Sequence, residues 1–311
     1  MEGAVKKTMS NEKYYLELPT PLLFNFQECL LFLARSNHEV LHTIKDHILY
    51  KLLKIDHELV LCQISYQAQQ LRVGFPMNSP SAAAVEQVQR YMEEWFDLRR
   101  DLQPFYHMAQ KDAILQHSVQ KYNGLRIIGI PDLFEALVWA IIGQQINLTF
   151  AYTLKKRFVE QFGENVSYDG DSYWVFPSCE RIASLTIEDL RALQFTLRKS
   201  EYIIAIAQEM ASGALTKEQL IQIEDKAHIK KKLMSIRGVG EWTADYVLMK
   251  CFHDPTSFPI ADVGLHNALK MQLALDRKPT IDEIKKWEMP WRGWQAYATF
   301  YLWRSLYDET V

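Results

Sequence analysis

The sequence predicts an α+β protein: a mixed N-terminal part with a small antiparallel sheet, followed by a larger all-helical part. Three observations carry that expectation. Up to about residue 112, short runs of β-type residues alternate with turn-forming ones, whereas beyond it apolar residues recur at helical spacing between short connectors. With 311 residues and 36.4 kDa, the chain is long enough to bury two cores. Its 48% hydrophobic and 23% charged residues are those of an ordinary globular protein, which excludes collagen-like, coiled-coil and wholly disordered classes.

Residues 14–18 (YYLEL), 47–55 (HILYKLLKI), 58–65 (ELVLCQIS) and 70–75 (QLRVGF) are rich in β-branched, aromatic and leucine side chains and read as strands. Asp56-His57 and residues 66–69 supply turns between them, and a helix is expected over 25–35. The segment PMNSP at 76–80 carries two prolines and ends the sheet. Val85, Val88, Met92 and Trp95 then fall at helical spacing, so a helix is expected over 82–95. In the second part helices are expected over 132–142, 149–162, 186–193, 200–211, 216–223 and 227–236. Four more follow over 241–251, 263–273, 280–286 and 294–306. Pro131 suits a first helical position and Asp132 the positive end of a helix. Residues 168–176 interrupt with an aromatic, extended stretch. The expected domains are 1–112 and 113–311.

Lysine and arginine total 35 against 38 aspartates and glutamates, a net charge of −3 with a pI near 6.3. A protein that wraps nucleic acid by bulk charge is basic, so any such role must come from a local face. No apolar run approaches the roughly 18 to 20 residues that a bilayer span needs, so no membrane association is expected. The charged start MEGAVKKTMSNEK lacks the apolar stretch of a secretory signal. Cys29, Cys62, Cys179 and Cys251 stand far apart with no Cys-x-x-Cys spacing, which argues against structural zinc or an iron–sulfur cluster. The expectation is a cytoplasmic protein with reduced thiols.

The chemistry-bearing segment is 233–269, LMSIRGVGEWTADYVLMKCFHDPTSFPIADVGLHNAL. Two helices meet at Ile236-Arg237-Gly238-Val239-Gly240, where two glycines permit a tight hairpin and leave main-chain N–H groups at the next helix start unscreened. Such a turn can hold a phosphate, because the free donors and the helix dipole point the same way. Alone, Gly-Val-Gly is more simply the closing turn of an ordinary helix pair, because short glycine patterns match easily. Trp242 and Tyr246 lie four residues apart and so share a face of the following helix. After a loop, Pro259-Ile260-Ala261-Asp262 places a carboxylate at the start of the next helix; a lone Asp there is most simply an N-cap. His253, His266 and Lys230-Lys231-Lys232 are weaker signals: His266, four residues after Asp262 on the same helix, reads as structural, and the lysines as either a phosphate track or a solvated helix face.

This order of hairpin, aromatic helix, loop and Pro-x-x-Asp resembles the helix-hairpin-helix DNA glycosylases, and most closely their DNA-3-methyladenine glycosylase II branch. The likeness extends through Gly129–Ala136 (GIPDLFEA), Ile142-Gly143-Gln144-Gln145, Tyr173–Pro177 (YWVFP) and the C-terminal PWRGWQAYATFYLW at 290–303. It covers nearly all of residues 115–307, and residues 1–112 are similar to the TATA-binding-protein-like domain that this branch carries.

The resemblance implies that Asp262 is the catalytic carboxylate of base excision. It also implies that Arg237, Gly238, Val239 and Gly240 anchor the DNA backbone, with a monovalent cation as the one metal expected there. Breaking an N-glycosidic bond builds positive charge on the sugar, which a fixed anion stabilises; the same carboxylate can instead activate the attacking water. Bifunctional relatives carry a nucleophilic Lys where this chain has Trp242, so no amine stands at that position for a Schiff base. Lys250 lies about two turns further along, out of reach. Trp242, Tyr246 and Trp303 match the aromatic positions that line the branch's base pocket, and a cationic alkylated purine gains cation–π attraction from such rings. Gln145 falls where the family places the wedge that fills the gap left by a flipped nucleotide; the branch's prototype has an apolar Leu there. The expected substrate is double-stranded DNA containing alkylated bases, acted on by a monomer without organic cofactor or catalytic metal. A glycosylase for uracil, hypoxanthine or an oxidised purine, or a DNA-binding module without chemistry, are the alternatives.

Overall fold

The computed structural model describes residues 8–10 and 13–308. The expectation drawn from the charged N-terminus rests largely on residues outside that range. The described chain groups into two compact units, each assembled from separate stretches of sequence. Of the described residues, one unit takes those up to Leu22, Ser36–Glu94 and Ile142–Ala214; the other takes Leu23–Arg35, Trp95–Ile141 and those from Leu215 onward. This grouping differs from a single cut after residue 112.

In the first unit, six strands form one fully antiparallel sheet: β1 (Thr8–Ser10), β2 (Lys13–Pro19), β3 (Thr43–Lys45), β4 (Ile48–Ile55), β5 (Glu58–Gln67) and β6 (Gln70–Gly74). Their order is β1-β2-β6-β5-β4-β3. The four runs expected as strands form β2, β4, β5 and β6, while β1 and β3 are three-residue edges, too short to display an alternating pattern. Asp56, in left-handed backbone, turns β4 into β5 with Ile55 opposite Glu58. Leu52 and Leu61, paired across that hairpin, pack with Tyr173 and Val175. Tyr173 belongs to a small hairpin, β7 (Asn165–Tyr168) and β8 (Asp171–Trp174), which is how the extended aromatic stretch folds. A later segment therefore completes the core over the sheet, and the unit is discontinuous in sequence for that reason. The same segment brings Lys155 of helix Leu148–Phe162 to Glu39, 2.9 Å away with both side chains 8% exposed. Burial alone would raise the Glu39 carboxyl, but Lys155 and the Leu41 N–H outweigh it and hold it far below the ordinary range.

The second unit is helical. Helix Phe26–Leu33 starts at Asn25, whose side chain accepts the Glu28 N–H. Helices Gln103–Ala109 and Gln116–Lys121 were not apparent from periodicity; each is under two turns of apolar repeat. The C-terminal helix Gln295–Ser305 forms the centre. Its Tyr297, Phe300 and Tyr301 are fully buried, and the two hydroxyls are satisfied. Tyr297 donates to Asp97 (2.6 Å), and Tyr301 donates to the Leu125 carbonyl (2.9 Å) while meeting the Tyr106 hydroxyl. Trp291 is equally buried, its indole N–H donating to Asp112. Most of the C-terminal aromatic motif is thus core, and Trp303 is the half-buried exception within that helix.

Candidate active site

Helices Lys226–Met234 and Glu241–Cys251 form the hairpin. Leu233, Ile236 and Val239 are buried and fix the pair, with the Val239 N–H closing on the Ile236 carbonyl at 3.0 Å. Gly238 has φ +94, a conformation that a side chain would strain. Gly240 is the N-cap of the second helix, extended and exposed, and no side chain caps that helix start. No atom lies within 4 Å of where a Cβ would stand on Gly240, so the main chain there is open to a ligand. Lys230 lies half-buried between Glu241 and Asp245, 3.0 Å from each, and ties the two helices together. Lys231, Lys232 and Arg237 are exposed. The lysine run therefore divides: one member is structural, and two are solvated.

Asp262 is the N-cap of helix Val263–Gln272, as its position before a helix predicts, and accepts the Leu265 N–H at 2.8 Å through Oδ1. The cap is only part of what holds it. The Trp303 indole N–H donates to the same Oδ1 at 2.8 Å, and the Trp242 indole N–H donates to Oδ2 at 3.0 Å. Three donors from three helices fix the carboxylate and leave Oδ2 with an acceptor lone pair. Tyr246 sits between the two tryptophans, its ring centroid 5.6 Å from Trp242 and 6.2 Å from Trp303, with the planes inclined by 31° and 35°. The arrangement is a short aromatic wall whose outer members grip one carboxylate.

Tyr246 is itself positioned. It is buried, and the Trp139 indole N–H donates to its hydroxyl at 2.8 Å. Burial pushes its phenol well above the ordinary value, so the ring is neutral at any physiological pH. Trp139 had no signal in the sequence as a site residue: it lies within an apolar helix, and its partner is 107 residues away. Lys250, the nearest lysine along the hairpin helix, is buried; it donates to the Ile128 carbonyl and sits 4.9 Å above the Phe300 ring. It is a core cation. His266 bonds the Ile260 carbonyl at 2.8 Å and steadies the loop that delivers Asp262. His253, in left-handed backbone, lies 3.7 Å from Asp97. Both histidines have structural settings.

Gln145 belongs to the other compact unit. It lies between helices Leu133–Gly143 and Leu148–Phe162, exposed and with φ +59. A non-glycine residue in that region is uncommon and costs about 1 kcal/mol, so the turn holds the amide outward against a local preference. Lys199 caps the preceding helix, its buried ammonium donating to the Ile142 carbonyl at 2.7 Å.

A helix–Gly-Val-Gly–helix hairpin, followed by a carboxylate at a helix start beside an aromatic wall, defines the class of base-excision DNA repair proteins. Residues 138–291 match the HhH-GPD superfamily of base excision DNA repair proteins, and residues 15–137 match the N-terminal domain of 8-oxoguanine DNA glycosylases. A DNA-3-methyladenine glycosylase of Bacillus subtilis (strain 168) is 49% identical over 290 residues, spanning 92% of this chain and 95% of that one. The fold is shared with a 3-methyladenine DNA glycosylase from Archaeoglobus fulgidus at a TM-score of 0.80 and 22% identity, covering 94% and 98% of the two chains. It is also shared with the 8-oxoguanine glycosylase/lyase of Clostridium acetobutylicum at a TM-score of 0.74 and 16% identity, covering 99% of each. The chain belongs to the HhH-GPD superfamily, in its DNA-3-methyladenine glycosylase branch.

Proposed function

We propose that the protein is a monofunctional DNA glycosylase that hydrolyses the N-glycosyl bond of alkylated bases of the 3-methyladenine and 7-methylguanine type in double-stranded DNA, leaving an abasic site and starting base excision repair. The observation that carries this reading is the Asp262 carboxylate, gripped by the indoles of Trp242 and Trp303 at the edge of an aromatic wall. A flipped alkylpurine is cationic and already a good leaving group. The wall offers it stacking and cation–π attraction, and little acid assistance is needed. As the bond to the base breaks, positive charge grows on the sugar, and a carboxylate that need not reorganise stabilises it as it forms. The remaining Oδ2 lone pair is the acceptor available to an attacking water.

The monofunctional reading rests on position 242, where Trp stands and offers no amine, and on Lys250, which is committed to the core. In the same reading the hairpin Arg237-Gly238-Val239-Gly240 holds the DNA backbone through its open main chain, and Gln145 fills the gap left by the flipped nucleotide. A monovalent cation at the hairpin belongs to the same proposal, since residues 236–240 contain no carboxylate and would offer such an ion main-chain oxygens alone. The six-stranded sheet is proposed as the TATA-binding-protein-like domain of the branch, the protein as a monomer, and its place as the cytoplasm, associated with the nucleoid through DNA. The similarity to 8-oxoguanine enzymes in residues 15–137 does not favour an oxidised purine, because it lies outside the segment that carries Asp262 and Trp242.

The test is release of free methylated purines from alkylated duplex DNA by the wild type and by Asp262→Asn. Release without strand cleavage, abolished by the substitution while binding of an abasic-site duplex persists, is the expected result. Strand cleavage by a purified wild type that forms a borohydride-trapped adduct would overturn the monofunctional assignment.

A further inference from the structure

Residue 264 is the second residue of the helix that Asp262 caps, a position where a glycine weakens a helix relative to almost any other residue. Its backbone is not in the left-handed region, so no conformational need explains it. Its surroundings do. A Cβ on Gly264 would stand 2.9 Å from Asp262 Oδ1 and 3.2 Å from both Cδ1 and Nε1 of Trp303. The three atoms it would crowd are those of the hydrogen bond between the indole and the carboxylate, together with the adjoining ring carbon.

We propose that Gly264 is a positioning residue for excision: its missing side chain is what lets the Trp303 indole settle onto the first turn of helix Val263–Gln272 and hold the Asp262 carboxylate. This rests on the reading of Asp262 as the catalytic carboxylate. Asp262 Oδ1 is the end of a short rotatable side chain, while Trp303 is wedged by Phe300 and Tyr246. The group that yields to a methyl at 264 is therefore the carboxylate, which swings away from both Trp303 and the Leu265 N–H. The backbone need not move, and the helix gains propensity from alanine. The consequence is selective: the anion is displaced while the hairpin and the aromatic wall remain.

The experiment compares wild type, Gly264→Ala, Trp303→Phe and the double variant in single-turnover release of 7-methylguanine from alkylated duplex DNA. Affinity for an abasic-site duplex and melting temperature are measured in parallel. A misplaced catalytic group costs on the order of 100-fold in the chemical step, so Gly264→Ala is expected to lose about that in rate at saturating enzyme, with abasic-site affinity and melting temperature held. Phenylalanine at 303 has already lost the indole donor that the displaced carboxylate would leave, so adding Gly264→Ala to Trp303→Phe should cost less than tenfold more, because neighbouring changes that act on one contact do not add. Wild-type rates in Gly264→Ala, or independent losses that multiply in the double variant, would overturn the proposal. If Gly264→Ala melts early or fails to fold, the glycine serves the fold and the proposal also falls. Asp262→Asn run alongside separates the two readings: activity retained there removes the role of Asp262 itself. An inactive Asp262→Asn beside a fully active Gly264→Ala removes only the positioning role.

Discussion

At the scale of single residues, the proposed reading gives the two tryptophans beside Asp262 two tasks, as surfaces for the base and as donors to the carboxylate. Each donates its indole N–H to one oxygen of Asp262, and Tyr246 stands between them. Replacing Trp303 by Phe keeps most of the aromatic area and deletes the donor. A hydrogen bond to a charged group contributes roughly 1.5 to 3 kcal/mol, so the rate of base release should fall about 10- to 100-fold, with a smaller change in abasic-site affinity. Trp242→Phe should behave alike. Single-turnover kinetics at saturating enzyme check both, and a loss confined to affinity would show that the rings serve only as surfaces. The sequence disclosed these residues because a motif of fixed order surrounds them. It did not disclose Trp139 or Gly264, whose meaning lies in what they touch: Tyr246, 107 residues away, and the Trp303 ring. Periodicity places a residue on a face of its own element and says nothing of the side chain that arrives there from another.

At the scale of elements, the hairpin was legible from its glycines and the helix boundaries from their caps. Thr186, Thr216 and Thr280 each form a reciprocal capping box, and Asn147 accepts the Phe150 N–H at 2.8 Å. Among those that escaped were the three-residue strands β1 and β3, too short to display a period, and the short helices Gln103–Ala109 and Gln116–Lys121, whose starts carry no side-chain cap to mark them. The lysine run shows the same boundary: nothing in three consecutive lysines tells that Lys230 alone turns inward to Glu241 and Asp245. That contact has a pH signature. Burial raises the Asp245 carboxyl to about 6, against the pull of Lys230, with Glu241 and Asp254 adding to the rise. A carboxyl raised in the folded state binds a proton that the unfolded chain has already lost. Its contribution to stability is therefore full below the unfolded value near 3.8 and is lost as pH rises to about 6. Measured against Asp245→Asn, the melting temperature of the wild type should fall from pH 4 to pH 6 and then run parallel to it up to pH 8. A wild type that gains on the variant over that window would mean that Lys230 dominates and the carboxylate is welcome in its charged form.

At the scale of the whole molecule, the sequence order of the two architectures was legible, but not how the chain shares residues between its compact units. Residues 142–214 return to the strand-bearing unit through Tyr173, Val175 and the Lys155–Glu39 pair, and residues 23–35 join the helical one. Such returns depend on pairings across a hundred residues or more, which no local pattern records. Net charge belongs to this scale as well. A chain of −3 that binds DNA must do so through a local face, and the hairpin offers few cations for one: Arg237, Lys231 and Lys232 are exposed there, while Lys230 is already paired. Only neutralised phosphates release counterions, by roughly 0.9 per contact on duplex DNA. The logarithm of the association constant for an abasic-site duplex should therefore fall with the logarithm of salt concentration at a slope of about −3, gentle for a DNA-binding protein. Replacing Lys231 and Lys232 together by Ala should flatten that slope by about 2 and weaken binding similarly across sequences. Fluorescence anisotropy between 50 and 300 mM salt reads both. A slope near −6 that the double substitution leaves unchanged would place the main electrostatic contact on another face, with the hairpin contributing position and little charge.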